Sequence, residues 1–160
     1  MEPLTGAVII QQDYFEQNLD VNIKNLSSSI QIMGQQLCSS PTIGFLLNYN
    51  FNKSFDSIFE NIIIDLEENY TSNNLDESNS IKLDRMINLA RDRGSKVYTS
   101  SKFSNNICII VSTNQSVFNE FDSTNLLNIH ERRNFIEIIC VENFSQIYEI
   151  INDLFKNFSY

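Results

Sequence analysis

Apolar residues recur along this chain in two spacings. Short runs that are apolar at nearly every position alternate with stretches where apolar residues return every three or four places. Ala7 to Ile10 reads as a first strand, ending near Gln11 to Asp13. Phe15, Leu19, Ile23, Leu26, Ile30, Met33 and Leu37 then step by three or four. That spacing predicts one long amphipathic helix, about 30 Å at about 1.5 Å per residue. Ser39, Ser40 and Pro41 stop it, because proline neither extends a helix nor lets its predecessor remain helical.

The pattern repeats. Thr42 to Tyr49 carries Ile43, Phe45, Leu46 and Leu47 without alternation, as a strand covered on both faces does. Ser54 is placed to cap a second helix with Phe55, Ile58, Phe59, Ile62, Ile63 and Leu66 on one stripe. The polar segment that follows is the expected flexible loop, near 69–80. A third helix is predicted from Ser80 to Asp92, with Leu83, Met86, Ile87 and Ala90 inward and Lys82, Arg85 and Arg93 outward. Gly94 is its terminator. Lys96 to Tyr98 reads as a short edge strand and Ile107 to Val111 as another buried one. Residues 116–133 read as mostly helical.

The closing stretch repeats the alternation most clearly. Phe135, Ile136, Ile138, Ile139, Cys140 and Val141 form an apolar run; Phe144, Ile147, Tyr148, Ile151, Leu154, Phe155 and Phe158 then return at helical spacing. No evident chemistry stands in it. Strands alternating with helices imply a three-layer α/β sandwich, a mainly parallel sheet with helices on both faces, in one domain over residues 1–160. With 160 residues, 42% of them hydrophobic, the chain has enough apolar material for one such core.

Composition removes several function classes. The formal charge of −9 argues against general affinity for nucleic acid or an anionic membrane. No apolar stretch approaches the roughly 20 residues that cross a bilayer. No charged segment followed by an apolar one opens the chain, which points to an intracellular setting, cytoplasmic or nuclear. Cys38, Cys108 and Cys140 are too far apart for a zinc pattern and odd in number, so buried reduced thiols are expected.

Positive charge is concentrated at Lys82, Arg85, Arg91, Arg93 and Lys96, with Lys102 beyond. That group is either a solvated helix face or a basic interaction patch. His130, Arg132 and Arg133 form a smaller group, and this lone histidine supports neither a metal cluster nor a catalytic pair. The first strand-to-helix turn has no glycine to cradle a phosphate, and neither nucleotide-binding glycine motif occurs. No cofactor and no metal are expected.

In doubly wound folds ligands bind beyond the carboxyl ends of the strands. The candidate rim there is Asp13, Tyr14, Asn48, Thr113 and Asn114. The series of strands and helices resembles a von Willebrand factor A-type domain. Thr42-Ile43-Gly44-Phe45-Leu46-Leu47 is similar to that family's second strand, and Val141-Glu142-Asn143-Phe144-Ser145-Gln146-Ile147 to its last strand-to-helix turn. The family's metal-ion-dependent adhesion site needs Asp-x-Ser-x-Ser after the first strand. Here Asp13-Tyr14-Phe15-Glu16-Gln17 keeps the aspartate and loses both hydroxyls, and Ser112-Thr113-Asn114 lacks the later carboxylate. The resemblance therefore implies a metal-free member, of the kind that serves as a scaffold in intracellular complexes. The expected role is a non-catalytic protein-interaction module with a protein partner; the alternative is a small-ligand or nucleotide binder, or an enzyme, using the strand-end rim.

Overall fold

A computed structural model describes residues 6–31, 41–47, 56–70, 77–118 and 134–155. In chain order these form β1 (Gly6–Gln11), α1 (Gln12–Gln17), α2 (Leu19–Gln31), β2 (Pro41–Leu47), α3 (Asp56–Glu68), α4 (Glu77–Asp92), β3 (Lys96–Ser100), β4 (Ser104–Thr113), β5 (Phe135–Val141) and α5 (Phe144–Phe155). The strands make one sheet in the order β1-β2-β5-β4-β3, parallel except for the antiparallel edge pair β3–β4. The architecture is the α/β sandwich that the alternation predicts, and Lys96 does begin an edge strand.

Period two divides each strand between the faces. On one face Ile109 of β4 and Ile136, Ile138 and Cys140 of β5 pack with Ile23, Leu26 and Ile30 of α2 and Phe59, Ile62, Ile63 and Leu66 of α3. On the other, Ile139 and Val141 meet Ile147 and Ile150 of α5, while Cys108 and Ile110 meet Leu83, Ile87 and Ala90 of α4. Every residue of β5 is buried, which is why its sequence does not alternate. Gly44 sits in a close-packed place: a Cβ there comes within 3.2 Å of Val8 Cγ1 and 3.4 Å of Ile138 Cγ1, so these side chains would have to give by a few tenths of an ångström.

The first helix departs from its expected form. The apolar spacing runs on through Asn18, yet the chain breaks there (φ −133°, ψ 60°) into α1 and α2. Asn22 Nδ2 repairs the break, donating to the carbonyls of Tyr14 (3.4 Å) and Phe15 (3.1 Å). Met33 and Leu37 lie outside the described residues, as do the Ser54 cap, residues 71–76 and 119–133. Residues 116–118 are irregular rather than helical.

Two helix ends show their sequence logic. At α5, Asn143 Oδ1 accepts from the Gln146 amide (3.1 Å), and Gln146 Oε1 accepts from the amides of Glu142 (2.6 Å) and Asn143 (3.3 Å), a reciprocal capping box. At α4, Gly94 takes φ +89° while its N–H bonds to Arg91 O and the Ser95 N–H to Ala90 O, both at 3.0 Å. A Cβ at Gly94 meets nothing within 4 Å, so a side chain there costs only backbone torsion. Gly94→Ala is expected to lower stability by about 1 kcal/mol, read as a shift of the urea midpoint at unchanged slope.

Candidate functional site

One residue of the closing strand breaks its apolar run. Glu137 stands at the centre of β5, in register with Ile43 of β2 and Ile110 of β4, and has no exposed surface. It points to the α4 and α5 side, since its alternates Phe135 and Ile139 belong to the clusters on that face. A carboxylate so placed needs hydrogen-bond donors. It has three: Ser112 Oγ at 2.7 Å and the Val117 amide at 2.9 Å on Oε2, and Ser116 Oγ at 2.5 Å on Oε1.

The chain supplies these donors through one turn. Asn114 takes the left-handed conformation (φ 64°) just past β4, and its N–H bonds to Cys140 O at 2.9 Å. Asparagine tolerates that region because it lacks a β-branch and bonds locally. The reversal brings Ser116 and Val117 back over the sheet. Phe118 secures the segment, buried with its ring 6.4 Å from that of Phe135.

The hydroxyl directions follow. A backbone amide only donates, and both serine hydroxyls donate to Glu137 beside it. Ser95 Oγ lies 3.1 Å from Ser112 Oγ, so with the Ser112 hydrogen committed, Ser95 donates to Ser112. The relay runs from Ser95 through Ser112 to Glu137. Burial pushes the Glu137 carboxyl above its ordinary 4.5, and the bonds from Ser112, Ser116 and Val117 pull against that rise.

A cavity of about 330 Å³ opens directly above this network. Arg93, Ser95, Ser112, Thr113, Gln115, Ser116 and Val117 are among its lining residues, between the C-terminal end of α4 and the carboxyl end of β4. Arg93 Nη1 donates to Val117 O at 2.6 Å, joining the helix end to the loop. A second groove of about 220 Å³ runs beside β1, lined by Val8, Ile10, Tyr14, Phe15, Asn22 and Leu26 among others.

The rim candidates divide between these two places. Thr113 lines the cavity above Glu137. Asn114 is exposed at its edge, where its Oδ1 accepts from Gln146 Nε2 at 3.4 Å. Asp13 and Tyr14 lie exposed on α1, and Tyr14 lines the β1 groove. β1 and β4 are three strand spacings apart, roughly 14 Å, so the candidates form no single site. Asn48 lies outside the described residues.

Of the basic group, Arg85, Arg91, Arg93 and Lys96 are exposed, and Lys82 lies on α4 with its side chain outside the described set. Lys96 Nζ pairs with Asp56 Oδ1 at 3.4 Å. Cys108 and Cys140 are free and buried, as expected, and burial pushes both thiols up to about 12, so neither is a nucleophile near neutral pH. Cys38 lies outside the described residues. Among the described residues no three His, Cys, Asp or Glu side chains are grouped to hold a metal ion, and no helix is long and apolar enough to cross a membrane.

The residue that organises the cavity is the one the apolar reading passed over. Its signal was present: a single charge inside a run buried on both faces has to be buried too.

No protein-family model and no curated protein sequence matches the chain. Solved structures of aldehyde dehydrogenases do match in fold. Aldehyde dehydrogenase 21 of Physcomitrella patens superposes with a TM-score of 0.59 at 16% identity, over 93% of this chain and 31% of that one. The aldehyde dehydrogenase KauB of Pseudomonas aeruginosa gives 0.58 at 14%, over 92% and 31%. Betaine aldehyde dehydrogenase of Staphylococcus aureus gives 0.57 at 12%, over 93% and 31%. The chain thus spans just under a third of the length of these enzymes, and at this identity what it shares with them is the fold.

Proposed function

We propose that the chain is a small-molecule-binding α/β domain whose site is the cavity above Glu137. The observation that carries this reading is the fully buried carboxylate with three converging donors beneath an open, hydroxyl-lined cavity. A carboxyl group at the centre of a sheet is costly to bury, and such groups concentrate where a protein uses them. The cavity also lies beyond the carboxyl end of a parallel strand, where open α/β sheets place their ligands. The fold adds support, since aldehyde dehydrogenases that share it are seen with succinate or with NAD.

A thermal-shift panel of NAD, ATP, Mg²⁺, small carboxylic acids, amines and amino acids tests the reading. At least one member is expected to raise the melting temperature, because a ligand at about 100 times its Kd adds about 2.7 kcal/mol. Thr113→Phe crowds the cavity from an exposed wall without touching the bonds to Glu137, and is expected to abolish the shift. A panel with no shift sinks the proposal.

A second reading, an interaction module within an intracellular complex, is favoured by the β1 edge. There Ile9 is 48% exposed and Tyr14, on the helix that follows, 66%, and an edge strand offers a partner its unpaired backbone. The likeness to von Willebrand factor A-type domains belongs with this reading and rests on the sequence pattern. Capture of one defined partner from native extract, lost in Ile9→Lys, is its expected result; capture unchanged in that variant counts against it.

A further inference from the structure

We propose that β1 pairs with β1 of a second copy, antiparallel about a two-fold axis, and that this pairing fills the groove beside it. The inference is independent of the cavity above Glu137, which lies at β4.

The two edges of the sheet carry the argument. Among the described strands, β1 and β3 each pair on one side only. An edge strand shows unpaired backbone groups, and proteins that keep such an edge free guard it with charge, above all with lysine. β3 is guarded in this way, since Lys96 opens it and is exposed. β1 has no charged residue, and Ala7 and Ile9 are exposed along it. The chain thus protects one edge and leaves the other open.

The groove of about 220 Å³ runs along that open edge. Val8, Ile10, Phe15 and Leu26 give it apolar surface, and α2 adds Asn25 and Ser29. Among the described residues, none that lines it is charged, on a chain with 20 Asp and Glu and 11 Lys and Arg. The occupant that fits is an uncharged strand with apolar side chains at alternate positions. β1 is itself such a strand. Val8 and Ile10 turn to the cluster beneath α2 and α3, and Ala7 and Ile9 to the other side.

Symmetry agrees. An axis perpendicular to the sheet keeps α2 of both copies on one side, and directly opposite residues of an antiparallel pair share a face. The axis therefore passes through Val8 or Ile9, and Val8 and Ile10 of the second copy lie on the groove side. Antiparallel pairing also sets the exposed Asp13 and Asp20, which follow the carboxyl end of β1, at opposite ends of the joined sheet. Their charges do not meet. Each copy uses its one unguarded edge, so the contact closes at two copies and does not grow into a fibre.

The test is sedimentation equilibrium on the full chain from about 5 to about 200 µM. The mass is expected to rise with concentration toward that of two chains. Raising NaCl from about 20 to about 300 mM is expected to tighten the dimer, because each copy carries a charge of −9 and salt screens the repulsion. Ile9→Glu sets like charges beside the axis and is expected to weaken the dimer at least tenfold. Ile81→Glu makes the same change at an exposed site on α4 and is expected to leave it unchanged. Antiparallel pairing holds opposite Cα atoms about 4.5–5.5 Å apart, which a disulfide spans. In a Cys38→Ser background, Val8→Cys or Ile9→Cys is therefore expected to cross-link into a dimer on oxidation, and Ile81→Cys is not. A monomer at about 200 µM in about 300 mM NaCl overturns the proposal and leaves the edge to a foreign partner. So does a dimer that Ile9→Glu leaves intact, or one that neither β1 cysteine cross-links. The small-molecule reading stands or falls separately, on its own panel.

Discussion

Glu137→Gln is expected to melt at a higher temperature than the native chain at pH 8, with the difference shrinking as the pH is lowered. Above its raised folded pKa, the native chain holds an ionised carboxylate out of water. Glutamine carries no charge and has nearly the same shape. Its carbonyl oxygen takes the bonds from Ser112 and Val117, and its amide donates to Ser116, whose hydroxyl turns to accept. The sign follows from linkage. Glu137 has a folded pKa above the ordinary 4.5, so the folded state binds this proton more tightly than the unfolded state does. Glu137 therefore favours the fold most below about pH 4.5, and that contribution is lost as pH rises through its folded pKa. Measured against the glutamine variant, the native chain gains on acidification across that window, and the other carboxylates cancel in the difference. Melting curves from pH 4.5 to 8 give the result, and a constant gap removes the argument. Glu137→Ala is the opposite case. It strands the Val117 amide, which has no other acceptor in the network, and leaves a hole under the loop, for a loss of roughly 3 kcal/mol.

Phe45→Ala is expected to be the most damaging single truncation in the core. Phe45 is fully buried in β2 and belongs to the cluster that holds α5 to the sheet, with Ile139, Val141, Ile147 and Ile150. Truncating a buried phenylalanine costs about 3–5 kcal/mol in lost transfer energy and cavity. For a chain of this size that corresponds to a fall in melting temperature of about 10 °C. Loss of helical circular dichroism ahead of the main transition would show α5 leaving first. A fall of only a few degrees would mean that the neighbours close the hole.

The elements were legible where apolar spacing alone determines them. β5 and the start of α5 follow directly from the apolar run at 135–141 and the helical spacing that begins at Phe144, and Gly94 marks the end of α4 because only a left-handed residue closes that motif. The break at Asn18 was not legible, because Leu19 and Ile23 continue the helical spacing of Phe15. The break depends on Asn22 reaching the carbonyls it frees. The site was less legible still. Which strands adjoin is set by packing and not by chain order, so the rim residues Asp13 and Thr113 looked like neighbours and lie at different strands. Glu137 becomes intelligible only once the turn at Asn114 is seen to bring Ser116 and Val117 above it.

The position of β5 has a consequence for how the chain is made. Among the described strands it is the last in sequence and the middle one in space, paired to β2 on one side and β4 on the other. Until it leaves the ribosome, β1–β2 and β3–β4 are separate two-stranded pieces, each with one inner edge open. Pairs as distant in sequence as Ile43 and Glu137 close late and make folding slow. A chain stalled before residue 135 would present two apolar edges of the kind on which misassembly begins. The carboxylate that β5 carries into that gap also disfavours stacking of the exposed strand on copies of itself.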